Sequence, residues 1–129
     1  MNPAYSDTQF LSSLDPKDIP EHAFIITAYN PMDEKFSERK NQERNAMLEG
    51  MIKQVGGLCL SIIGASKDLV HQELSFLTNL HKDQAIKLAK KFNQRAIFEI
   101  ERDSLTIVYT DKKNSKVELG SFQDRCINT

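Results

Sequence analysis

The clearest pattern in the chain runs from Ala23 to Val55. AFIITAY (23–29) is a continuous apolar run, rich in β-branched residues and bounded by turn signals. That pattern predicts a strand buried on both faces and therefore central in its sheet. Asn30-Pro31 breaks the run, because the residue before a proline is pushed out of the helical region. After a loop over 32–36, Ser37 is placed to cap a helix that runs to about Val55. Met47, Leu48, Met51, Ile52 and Val55 recur at helical spacing and predict its core face. Carried back toward the helix start, the same stripe places Arg44 and Asn41 where apolar residues are expected, with Asn45 beside them. Gly56-Gly57 supplies the stop.

Periodicity continues downstream. LCLSIIG (58–64) and Gln72–Leu77 read as strands, and alternation in the second puts Leu74 and Phe76 on one face and Glu73 and Ser75 on the other. Asp83 is placed to cap a second helix to about Asn93, with Ala85, Leu88, Ala89 and Phe92 inward. AIFEIE (96–101) and LTIVYT (105–110) around Arg102-Asp103 carry a hairpin signal, and a last short strand falls near 116–120. The predicted fold is α+β: a ferredoxin-like split β-α-β-β-α-β with one or two extra C-terminal strands, its helices on one face of the sheet. Residues 1–22, punctuated by Pro3, Pro16 and Pro20, read as a leader arm in which Phe10, Leu11 and Leu14 form a short amphipathic turn; 23–129 read as a single domain.

Composition narrows the classes. A chain of 129 residues with 17 basic and 18 acidic side chains has a net charge of −1, so no global field draws it to nucleic acid or to an anionic membrane. No apolar run reaches the ~20 residues that cross a bilayer, and the first ten residues lack a signal-peptide pattern. Cys59 and Cys126 are the only cysteines and have no CxxC spacing, which reads as two free thiols in a cytoplasmic protein.

Several stretches resemble a family of small bacterial proteins known as a domain of unknown function. They are FIITAYNP (24–31), Asn41 with Arg44, HQELSF (71–76), KKFNQRAIFE (90–99) and LGSF (119–122). The resemblance implies a compact bacterial domain over about 23–122 and brings no established activity with it.

The first candidate site is the polar group around the first strand-to-helix turn: Thr27, Tyr29, Asn30, Asn41, Arg44 and Asn45, with Gln94 contributing from the second helix-to-strand junction. Ligands gather at the carboxyl ends of strands and the amino ends of helices. An arginine fork there suits a phosphate or carboxylate, while asparagines both donate and accept. Internal wiring is the competing reading, with Asn30 in a turn and Arg44 paired to an acid such as Glu73. His71 and Glu73, at i and i+2 on a strand, are the acid–base candidates should chemistry occur; as two ligands they are too few for a zinc site. No metal or other cofactor is called for. Lys87, Lys90, Lys91 and Arg95 form a basic stripe, but Glu99 and Glu101 oppose a nucleic-acid backbone. Walker, GxSxG, GxGxxG and HExxH motifs are absent. Two functions follow as expectations: binding of a small anionic ligand or nucleotide at the first strand–helix turn, or a protein-interaction module working through a sheet edge near Val117–Leu119 or a sheet face.

Overall fold

The computed structural model describes residues 3–111 and 115–129. Eight strands and two helices follow one another: β1 (Gln9–Ser12), β2 (His22–Ile26), α1 (Glu38–Gln54), β3 (Leu60–Ala65), β4 (Gln72–Thr78), α2 (Lys82–Lys91), β5 (Ala96–Glu101), β6 (Ser104–Tyr109), β7 (Lys116–Ser121) and β8 (Cys126–Asn128). All eight strands belong to one sheet, ordered β7-β6-β5-β2-β4-β3-β1-β8. Its pairs are antiparallel except for β1 with β8.

This corrects the ferredoxin-like expectation. The small four-stranded sheet of that fold, extended only by C-terminal strands, is replaced by an eight-stranded mixed sheet that curls into a half-barrel. The expected arm supplies part of the difference. Gln9–Ser12 is a strand and not a helical turn; it pairs with β3 and gives β8 its parallel partner. β2 is central as predicted, between β5 and β4, and Ala23 to Ile26 are all buried.

Two cores hold the sheet, one on each face. Phe24, Ile26, Phe76, Ile97 and Val108 pack under α1 and α2 with Leu48, Ile52, Ala85 and Ala89. On the other face Phe10, Ile25, Ile62, Leu77, Ile100, Leu105 and Phe122 form a second cluster without any helix to cover it. Curling covers it instead. Phe10 on β1 and Phe98 on β5 are four strand spacings apart, roughly 19 Å in a flat sheet, yet their rings meet edge-on with centroids 5.2 Å apart. Phe122 adds a third ring, 5.3 Å from Phe10. Arg125 links the margins: Nη1 donates to the Ser6 and Thr8 carbonyls ahead of β1, at 2.7 and 3.2 Å, and Nη2 to that of Leu119 on β7 at 3.4 Å.

Both helices start and stop for local reasons. Ser37 Oγ caps α1 by accepting from the Lys40 N–H at 3.2 Å, and Gly56 ends it in the left-handed region at φ +80°. Its buried stripe is Asn41, Asn45, Leu48 and Ile52. Met47 and Val55, expected in the core, are 62% and 57% exposed. The helix touches the sheet along one narrow line, and that line includes the two asparagines. α2 is capped at His81, where its backbone N–H donates to Gln84 Oε1 at 3.2 Å, not at Asp83.

Candidate functional site

The inner face of the curled sheet is apolar over most of its length and polar at one end. Along β2 the inward positions run from Ala23 and Ile25 to Thr27; along β4 they run back from Leu77 to Ser75 and Glu73. Opposite Glu73 the register places Gly64. A Cβ on Gly64 would meet Ser75 Oγ and Thr8 Cγ2 at 3.9 Å, so the missing side chain leaves room there. The result is a cleft of about 280 Å³ walled by Ile25, Ala96 and Phe98, with Thr27, Tyr29, Asn30, His71, Glu73, Ser75 and Gln94 at its polar end; Tyr5 and Thr8 close one side.

Among the sequence-nominated residues the structure makes a division. Thr27, Tyr29, Asn30, His71, Glu73 and Gln94 line the cleft. Asn41, Arg44 and Asn45 are not among the lining residues; they approach the same turn from α1 and hold it. Asn45 Oδ1 accepts from the Ala28 N–H at 2.8 Å and its Nδ2 donates to the Leu74 carbonyl at 2.7 Å. Asn41 Oδ1 accepts from the Asn30 N–H at 2.9 Å and its Nδ2 donates to Asn30 Oδ1 at 3.0 Å. Arg44 Nε donates to the Ala28 carbonyl at 2.9 Å and Nη2 to the Phe92 carbonyl, with the guanidinium 5.6 Å from both the Phe36 and the Phe92 ring centroids. Buried backbone groups need partners, and these three side chains supply them where the chain leaves β2.

That turn carries strain. Met32, at φ 51°, sits in the left-handed region that most side chains avoid, while Asn30 and Asn93, at 42° and 56°, adopt the same region, which asparagine tolerates. The Met32 N–H donates to the Asn93 carbonyl at 2.7 Å, and Gln94 Nε2 donates to the Tyr29 carbonyl at 2.9 Å. The two left-handed corners are thereby bonded to each other at the cleft's edge. Strain persists only where surrounding contacts over-determine it, and such places cluster at functional sites.

Electrostatically the cleft is weakly acidic. Glu73 is its carboxylate and His71 its imidazole, and no lysine or arginine among the described residues lines it. Tyr29 Oη donates to Glu38 Oε1 at 2.6 Å. Burial first, then that hydrogen bond and the charges of Glu38 and Glu73, push the phenol up to about 12. Tyr29 therefore stays protonated near neutrality, with its one proton engaged by Glu38 and its oxygen left as an acceptor. Neither cysteine is primed as a nucleophile: both are free and half-buried, and burial raises both thiols, Cys126 to about 11 with help from Asp103. Next to the cleft a hollow of about 550 Å³ is bounded by Met32, Lys90, Arg95, Tyr109 and Thr110. Asp111 and Ser115 also line it.

Sequence reasoning did not bring in Tyr5, Thr8, Gly64 or Ser66. Alternation along β4 had already paired Glu73 with Ser75, but no local signal reports that residues 5–8 cross the sheet mouth. At the margin expected to recruit partners, β7 carries Lys116 and Glu118, and the Leu119 carbonyl accepts from Arg125.

The family described as Protein of unknown function (DUF3293) matches residues 26–97, more than half of the chain, and the chain belongs to that family. The matched span starts at the end of β2 and includes the strained turn, both helices, β3, β4 and Gln94. No curated protein and no solved structure matches the chain. No helix among the described residues is long and apolar enough to cross a membrane.

Proposed function

We propose that this is a small-ligand-binding domain whose ligand enters the cleft at the polar end of the curled sheet. The observation that carries the reading is the change of the inner face from a fully apolar core to a concave polar lining beside a strained turn. Binding sites have that anatomy: an apolar wall with a few convergent polar groups. The lining refines the expected ligand. Arg44, the anion contact foreseen from sequence, donates to two carbonyls from the helix side, and Glu73 is the carboxylate inside. A neutral hydrogen-bonding or amine-bearing molecule fits this lining better than a phosphate. Phe98 and Ile25 would take its apolar part; the Gln94, Tyr29 and Thr27 side chains, whose own donors serve the Tyr29 carbonyl, Glu38 and the Leu74 carbonyl, would orient it by accepting, and Glu73 would face its donor or positive end.

A thermal-shift screen of neutral, cationic and anionic metabolites against the full chain tests this. A ligand at ~100 times its dissociation constant adds about 2.7 kcal/mol of stability. The expected hit is neutral or cationic, and it is lost in Gly64→Val, which places methyl groups in the cleft next to Ser75. A hit that survives Gly64→Val unchanged, or one that depends on phosphate, would remove the cleft as the site.

A further inference from the structure

We propose that His22, Glu99 and Glu101 form a binding site for a divalent cation of the zinc type, at the end of the sheet opposite the cleft. Strand pairing assembles it. His22 stands across from Glu101 and Phe24 from Glu99 between β2 and β5, so the imidazole and both carboxylates share one face. His22 Nε2 lies 2.6 Å from Glu99 Oε2 and 4.0 Å from Glu101 Oε1. One ligand atom from each residue falls within 4.8 Å of the other two. Bonds of about 2.0–2.2 Å to a tetrahedral zinc separate its ligand atoms by roughly 3.4 Å. His22 and Glu99 therefore have to part by about 0.8 Å and Glu101 to close in by about 1 Å to complete the set.

Glu99 makes this more than a group of surface acids. Its side chain is only 4% exposed, and a buried carboxylate is costly unless partners face it. Its two oxygens have separate partners: Oε1 faces Lys82 Nζ at 3.5 Å, and Oε2 faces His22. Lys82 can thus orient the carboxylate as an outer contact while a metal replaces the hydrogen bond between Oε2 and His22 Nε2, the arrangement that tunes first ligands elsewhere. The His22 ring rests on Phe24, with centroids 5.0 Å apart, which limits its swing. Half of the His22 side chain and two thirds of that of Glu101 are exposed, so a cation can enter and a fourth position remains for water. One imidazole with two carboxylates suits zinc and its neighbours. Calcium and magnesium prefer all-oxygen sites.

The test is calorimetric titration of the full chain with ZnCl₂ alone near neutral pH, with Co²⁺ absorption reporting the coordination. One equivalent is expected to bind, with no comparable heat from Ca²⁺ or Mg²⁺. Glu101→Ala, at an exposed position that leaves the fold intact, is expected to weaken binding at least about tenfold, as is His22→Ala. Absence of saturable binding, or binding that Glu101→Ala and His22→Ala leave unchanged, would overturn the proposal and leave a hydrogen-bonded pair that anchors the start of α2.

Discussion

Arg44, Asn41 and Asn45 interrupt an apolar stripe on α1, and that interruption is legible in the sequence. The direction they face is not, because an arginine that binds an anion and one that satisfies carbonyls look the same in a sequence. Here Arg44 serves the Ala28 and Phe92 carbonyls. Removing it takes the Arg44 donor from the Ala28 carbonyl, an unmet acceptor costing about 1–3 kcal/mol, leaves the Phe92 carbonyl with Gln94 Nε2 at 3.4 Å, and removes the guanidinium from the Phe36 and Phe92 rings. Arg44→Ala is therefore expected to lower the free energy of unfolding by about 2–4 kcal/mol in urea titrations, and Asn45→Ala, which takes the acceptor from the Ala28 N–H and leaves the Leu74 carbonyl with Thr27 Oγ1 alone of its two side-chain donors, by about 1–3 kcal/mol. Variants that unfold at wild-type urea concentrations would contradict this. Glu99 sets the acid limb. Burial pushes its carboxyl up, but the His22 hydrogen bond and the Lys82 charge outweigh burial and hold it below its ordinary 4.5. A depressed carboxyl contributes stability above its unfolded value, and that contribution is lost as pH falls through the folded one. Between neutrality and about pH 3, wild type should consequently lose more stability than Glu99→Gln; parallel losses in urea titrations across that range would count against the assignment.

At the scale of elements, the unbroken apolar run of 23–29 was enough to place β2 at the sheet's centre. The stripe on α1 was read one row off, since Met47 and Val55 are exposed and the buried row passes through the asparagines. β1 escaped notice for a different reason. QFLS is four residues among prolines, and its strand character comes from pairing with β3 and not from its own pattern. Phe10 records that tertiary contribution, being fully buried and in contact with Phe98 and Phe122. Phe10→Ala is expected to destabilise by about 3–5 kcal/mol. A loss below about 1 kcal/mol, typical of surface positions, would mean that the segment is peripheral.

For the whole molecule, curling is the feature that no local pattern encodes. It closes the second core with three aromatic rings and Arg125 in place of another helix layer, and it gives the sheet an inside. Once there is an inside, the polar residues at its mouth acquire a shared volume. Thr27, Glu73 and Gln94 come from separate elements, and each was nominated from its own surroundings; only the bend places them around one cleft. Family membership over 26–97 covers the turn and most of the lining, and the described strands outside it, β1 and β6 to β8, complete the enclosure.

The division between wiring and lining can be tested in one paired experiment. Urea unfolding and ligand-induced thermal shift would be measured side by side for wild type, Arg44→Ala and Glu73→Gln, with the best compound from the screen. Arg44→Ala should lose about 2–4 kcal/mol of stability and, while still folded, keep a ligand shift. Glu73→Gln should lose the shift while it is still folded. The reverse pattern, with Arg44→Ala stable but blind to ligand and Glu73→Gln still responsive, would move the site to the helix side of the turn and contradict the cleft.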